Sequence, residues 1–137
     1  MTLAHHELCF GCGTANLFGL QMELEPADGR PDAVTGRFFL KQDHQGPPGL
    51  AHGGILASAL DEAMAIVLHA QGVHAVTRRL QVELVAPAPV GNYLRVDAAI
   101  ERQEGDRLWV HASARTVGEE AKVVATARGE FKALRVG

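Results

Sequence analysis

Basic charge is in short supply in this chain. Lys and Arg number 13 against 16 Asp and Glu, a formal net charge of −3. A nucleic-acid-binding domain needs a basic face, so nucleic acid is not an expected partner. Cysteine is nearly absent, with two residues in 137, and no disulfide framework is implied. The two form a single CxxC, Cys9-Phe10-Gly11-Cys12. A closed structural zinc site needs four ligands; His5 and His6 are near, but no second CxxC follows. The redox alternative wants a CxxC at a helix start in a βαβ context, and Gly11 and Gly13 around Cys12 argue against a helix. The expectation is a structural turn, with no metal and no organic cofactor. The N-terminus, MTLAHHELCFGCG, lacks the basic and apolar regions of a signal peptide, which points to the cytoplasm, where thiols stay reduced. Internal repeats and low-complexity tracts are also missing. The length fits a single domain, 1–137, able to bury about two-thirds of its unfolded surface.

What is present is one long apolar stretch, Gly49 to Gly72, GLAHGGILASALDEAMAIVLHAQG. From Ile55 to Leu68 it is apolar on every side, and a helix of that kind is buried or spans a membrane. A span needs about 20 predominantly apolar residues. This run is shorter and carries Asp61 and Glu62 in its middle, so it reads as one buried helix from near Gly53 to a stop at Gly72, with no membrane partner. Buried carboxylates are rare unless paired. Successive helical residues point about 100° apart, so the two acids face different ways. Small residues, Ala57, Ser58 and Ala65, leave room beside Asp61, while Glu62 shares a face with Ile55, Ala59, Ile66 and His69. Each acid could simply meet a buried arginine or backbone donor at a subunit contact.

Around this helix the chain reads as strands. Residues 1–19 form a loop. Leu20 to Leu24 alternates as a half-buried strand, Pro26 to Pro31 is a turn around Asp28-Gly29, and Val34 to Leu40 returns to complete a hairpin. After the helix come strands at Val76 to Val85, Leu94 to Ile100, Leu108 to Val117 and Ala121 to Leu134, the last with Val123, Ala125, Ala127 and Phe131 on one side. Gly105-Asp106 and Gly118-Glu119 are the tight turns between them. Strand runs with a single helix are an α+β pattern, and short turns force antiparallel neighbours. About six strands would therefore wrap around one central helix. Edge strands invite pairing, and an all-apolar helix needs cover on more than one side, so a two-fold homodimer is expected.

His52-Gly53-Gly54, Asp61 nine residues after the histidine, and Thr77 at the start of the next strand resemble the hotdog-fold acyl-CoA thioesterases of the phenylacetyl-CoA thioesterase type. The text around them, HQGPPGLAHGGILASALDEAMA and TRRLQVELVAPAPVG, extends the resemblance over nearly the whole chain. The CFGCG segment also looks like a recurrent feature of this group. The resemblance implies the hotdog fold, acyl-CoA as substrate, and a homodimer or a dimer of dimers. It implies Gly53 as the backbone donor to the thioester oxygen and Asp61 as nucleophile or general base. Thr77 would hold the hydrolytic water or the carboxylate. Where the family often has Asn or Gln, six residues before the histidine, stands Gly46, with Gln45 just upstream. Gln45, Gly54 and Ser58 are candidates for substrate contact. Arg78, Arg79, Lys122 and Arg128 are weaker candidates for coenzyme A phosphates. His52 is expected to fix its loop; His69, His74 and His111 read as ordinary.

Physical spacing adds one constraint. Eight residues separate Gly53 from Asp61, about 12 Å along a helix, so one carbonyl cannot touch both within one chain. Two rival readings stand beside hydrolysis: a hotdog enoyl-thioester hydratase or dehydratase, and a non-catalytic acyl-CoA binding module.

Overall fold

A computed structural model describes residues 2–134. Strands β1 (Glu23–Ala27) and β2 (Arg30–Phe39) precede helix α1 (Gly53–Ala70). Strands β3 (Ala75–Leu84), β4 (Tyr93–Glu104), β5 (Arg107–Thr116) and β6 (Val123–Ala133) follow it. All six join one sheet in the order β1-β2-β4-β5-β6-β3, with every neighbouring pair antiparallel. The sheet wraps α1, which is the α+β hotdog arrangement expected from the sequence.

Both ends of α1 follow from local chemistry. His52 is the N-cap, and its Nδ1 accepts the Gly54 N–H at 2.9 Å, closing one of the donors that a helix start leaves open. At the other end Gly72 takes a left-handed φ of 77°. Its N–H reaches the His69 carbonyl and that of Val73 the Leu68 carbonyl, the double closure of a Schellman cap. Leu56, Leu60, Met64, Ile66, Val67 and Leu68 are buried against Val96, Val110, Ala114 and Phe131 of the sheet. Each large apolar side chain so buried stabilises the fold by roughly 1.5–3 kcal/mol. Among the described residues α1 is the one helix long and apolar enough to cross a membrane, and half of it lies inside this core.

The helix does have a partly open side, contrary to the expectation of none. Ile55, Ala57, Ser58, Asp61 and Ala65 are half-exposed, because one sheet covers one side of a cylinder. Strand limits also differ. β1 starts at Glu23, and Pro26 and Pro31 lie inside strands, leaving only Asp28-Gly29 as the turn. Proline is tolerated there: β1 is an edge, where a missing N–H breaks no ladder, and Pro31 precedes the pairing of β2 with β4, which begins at Ala33. In β6 the register shifts opposite Ala114 and Arg115, so Val124 is buried and Val123 points out. The expected inward Val123 is thereby corrected.

Strand β3 closes the sheet order as a free edge. Val76, Leu80 and Leu84 are exposed along it, beside the half-open stripe of α1.

Candidate active site

The helix start presents one unclaimed donor. The Gly54 N–H is held by His52, and those of Ile55 and Leu56 turn to the His52 carbonyl. Among the described residues no acceptor takes the Gly53 N–H. The partial positive charge of a helix N-terminus gathers there. Gly53 carries no side chain, and a Cβ at that position would sit 2.7 Å from Leu84 Cδ1. An open cleft of about 350 Å³ passes this point, lined by Leu50, Gly53, Leu56, Leu84, Ala86 and Ala88. His52 itself is a cap: with Nδ1 accepting, the proton of the neutral ring sits on Nε2, in keeping with the structural role expected for it.

Two turns further along, Asp61 and Thr77 meet as anticipated. The Thr77 hydroxyl donates to Asp61 Oδ1 at 2.7 Å. A β-bulge sets the aim: Thr77 pairs with Phe131 and Arg79 with Glu130, which leaves Arg78 as an extra residue. Such bulges re-aim neighbouring side chains. Burial pushes the Asp61 carboxyl above its ordinary 3.8, and the bond from Thr77 pulls it partly back. The negative charge of Glu62 works with the burial.

Other sequence candidates lie nearby in different roles. The Ser58 hydroxyl donates back to the Gly54 carbonyl at 2.8 Å. Gln45 Oε1 accepts the Gly49 N–H at 2.9 Å and so shapes the loop before the helix. Gly46 packs on His52, its would-be Cβ 3.1 Å from the His52 Cα. Arg128 is engaged by Glu101 at 3.0 Å, whereas Arg78 and Arg79 are exposed beside Thr77. His44, just upstream of Gln45 and given no role in the sequence reading, is fully buried. Its Nδ1 accepts the Lys41 N–H and its carbonyl accepts the His52 N–H, and burial lowers its pKa.

Among the described residues Glu62 meets no arginine. It faces the N-terminal loop, with His5 Nδ1 3.0 Å from its Oε2 and Cys9 Sγ 3.5 Å from its Oε1. His5 Nδ1 is also 3.7 Å from the sulfurs of both Cys9 and Cys12. The contacts with Cys12 and then Glu62 push His5 up to about 11. Burial is the largest single influence and works to raise Glu62, but His5 and the two cysteines together outweigh it and hold the carboxyl below its ordinary value. The sequence pointed at Cys9, Cys12 and His5 by proximity alone; nothing in it could point from residue 12 to residue 62.

Residues 48–121, which hold the HGG turn, Asp61 and Thr77, match the thioesterase superfamily. Acyl-coenzyme A thioesterase THEM5 of Mus musculus is 29% identical over 67% of this chain and 37% of its own. THEM4 of Bos taurus is 29% identical over 56% of this chain and 31% of its own. The chain thus spans about a third of the length of the curated relatives it matches. Among solved structures, the BH2602 protein of Bacillus halodurans, determined with CoA, is 31% identical with a TM-score of 0.72, covering 86% of this chain and 77% of the other. The E. coli PaaI protein, from the phenylacetic acid degradation operon, shares the fold at a TM-score of 0.74 and 22% identity, over 85% and 81% of the two chains.

Proposed function

Because the chain belongs to the thioesterase superfamily, we propose that it hydrolyses acyl-CoA thioesters to a free acid and coenzyme A. The observation that carries this reading is the half-exposed Asp61 carboxylate, gripped by Thr77 at 2.7 Å on the same helix whose first N–H, that of Gly53, is unclaimed. Acyl-CoA as substrate is supported by the thioesterase relatives and by the CoA in the BH2602 structure.

Hydrolysis needs a polarised carbonyl and an activated oxygen. A donor aimed at the developing oxyanion is worth several kcal/mol in a dry site; the Gly53 N–H, reinforced by the helix end, is that donor. Asp61 supplies the oxygen, by accepting a proton from water or by attacking the carbonyl itself. Water contributes its hydroxyl to the acyl carbon, the carbon–sulfur bond breaks, and the sulfur leaves with the remaining proton as free coenzyme A. No metal and no redox partner enters this balance.

The reading requires two chains. Gly53 and Asp61 stand eight residues apart on α1, about 12 Å at 1.5 Å per residue. In a two-fold homodimer, β3 of one protomer would lie along β3 of its partner. That would cover Val76, Leu80 and Leu84 and set the open stripe of one α1 beside the start of the other. Light scattering should find a dimer or a dimer of dimers; a stable monomer with full activity would overturn the shared site.

The direct test is thiol release over a panel of straight-chain and aromatic acyl-CoA thioesters, with enoyl-CoA hydration run in parallel. Hydration without thiol release would assign the site to a hydratase; tight binding with neither would make it a binding module. Thr77→Val should retain the fold and lower kcat by about tenfold to a hundredfold, since a hydrogen bond to a charged group is worth about 1.5–3 kcal/mol. An unchanged kcat would leave Thr77 as an ordinary strand residue.

A further inference from the structure

The N-terminal loop, which among the described residues has no strand before Glu23 beyond an isolated bridge at Leu3, is folded against α1 by an unusual set of side chains. His5 Nδ1, Cys9 Sγ, Cys12 Sγ and a Glu62 carboxylate oxygen all lie within 4.8 Å of one another. His5 Nδ1 lies 3.0 Å from Glu62 Oε2 and 3.7 Å from each sulfur, and Cys9 Sγ lies 3.5 Å from the other carboxylate oxygen, Oε1. Around a tetrahedral zinc ion, with metal–sulfur bonds of about 2.3 Å and metal–nitrogen or –oxygen bonds of about 2.0–2.2 Å, ligand atoms stand roughly 3.2–3.8 Å apart. With every ligand atom within 4.8 Å of the others, the cluster is close to that size and needs only small side-chain shifts to close on an ion.

Its orientation points the same way. Glu62 Oε2 is buried, and His5 Nδ1 stands 3.0 Å from it as an ion-pair partner, without an aligned hydrogen bond among the described residues. A bound cation would draw both atoms onto itself and relieve the buried carboxylate oxygen. The backbone is built to permit the approach. A Cβ on Gly11 would fall inside the Glu62 side chain, and one on Gly13 would strike the Glu7 carbonyl. The His5 N–H points at Cys12 Sγ at 3.2 Å, the kind of backbone donor that supports a thiolate. The side chains of Glu62 and His5 are only 11% and 27% exposed, so water would not readily fill the ligand positions.

We infer that His5, Cys9, Cys12 and Glu62 form a structural zinc site that clips the N-terminal loop to the middle of α1, one residue from Asp61. The expectation of a plain turn rested on counting ligands along the chain; the fold supplies the fourth from 50 positions beyond Cys12. On binding, both thiols and the Nδ1 of His5 lose their protons to solvent, so that the sulfurs coordinate as thiolates and His5 as the neutral ring. Two thiolates, one carboxylate and a divalent ion leave a net charge of −1. The site is closed, with four protein ligands and no open position, as structural zinc sites are. Thiolates with an imidazole favour zinc over the harder magnesium or calcium. This inference goes beyond the proposed hydrolysis, and its readouts do not depend on turnover.

The test is elemental analysis of the full-length protein, produced with zinc in the medium and purified without chelator or polyhistidine tag. One zinc per chain is expected. The wild-type chain stripped by a chelator should then take up cobalt(II) to one equivalent, with the thiolate-to-metal absorption of a tetrahedral sulfur-bearing site. Both thiols should react with maleimide before reloading and be protected after it. Cys9→Ser, Cys12→Ser and His5→Ala should each weaken cobalt binding at least tenfold, and Glu62→Gln likewise. Absence of stoichiometric zinc together with no cobalt–thiolate band overturns the site, and because both are read on wild type, misfolding of a variant cannot mask that result. Unchanged cobalt affinity in Glu62→Gln overturns the clip to the helix. A Cys9–Cys12 disulfide in the protein as isolated would likewise count against it.

Discussion

Asp61→Asn is expected to lower kcat for thiol release by at least a hundredfold while leaving the fold intact. The substitution keeps shape and volume, and the amide oxygen can still accept the Thr77 hydroxyl now bonded to Oδ1 at 2.7 Å. What it removes is the charge, and a positioned acid or base contributes typically 10²–10⁴-fold. Burial already works against that charge, so the neutral variant should unfold at the same temperature as wild type or above it. Loss of activity with retained or raised stability is the pattern of a functional group held at a structural cost. A drop in stability with only a modest loss of rate would instead mark Asp61 as part of an interface network. Activity within tenfold of wild type would remove it from the chemistry altogether.

The helix and its caps were legible in the sequence because their signals are local. An apolar run between a His-Gly-Gly start and a closing glycine is read within twenty residues, and the observed bounds, Gly53–Ala70, differ only where Gly72 serves as cap. Asp61 and Thr77 were legible as a pair through family resemblance, not through physics. Their contact depends on the bulge at Arg78, and a one-residue register shift leaves no mark in hydrophobic periodicity. Val123 failed for the same reason, since a second bulge opposite Ala114 and Arg115 reversed its face. The partner of Glu62 was out of reach for a different reason. Helical spacing gives the direction of a side chain but not what the chain folds against it, and the loop bearing His5, Cys9 and Cys12 has no periodicity to place it. Even the glycines of CFGCG, read only as turn formers, have a use that is visible in three dimensions: Gly11 makes room for Glu62.

Mixing two inactive variants is expected to restore activity. Gly53→Val should be dead by itself: its side chain would crowd the donor that faces the cleft, where even a Cβ comes within 2.7 Å of Leu84 Cδ1. Asp61→Asn is dead for want of a charge. If each site takes Asp61 from one chain and Gly53 from the other, a heterodimer of these variants has one site with both defects and one with neither. Co-refolding equal amounts should give heterodimers as about half of all dimers, each with one of its two sites intact. The mixture should therefore recover about a quarter of wild-type turnover per chain, at the wild-type KM, since the surviving site is unaltered. The recovery should rise with the heterodimer fraction when that fraction is varied by the mixing ratio and measured by native mass spectrometry. Heterodimers that form and stay as inactive as their parents would show that Gly53 and Asp61 do not serve one carbonyl across the two-fold axis. The 12 Å between them along the helix would then have to be met some other way, with a different donor beside Asp61.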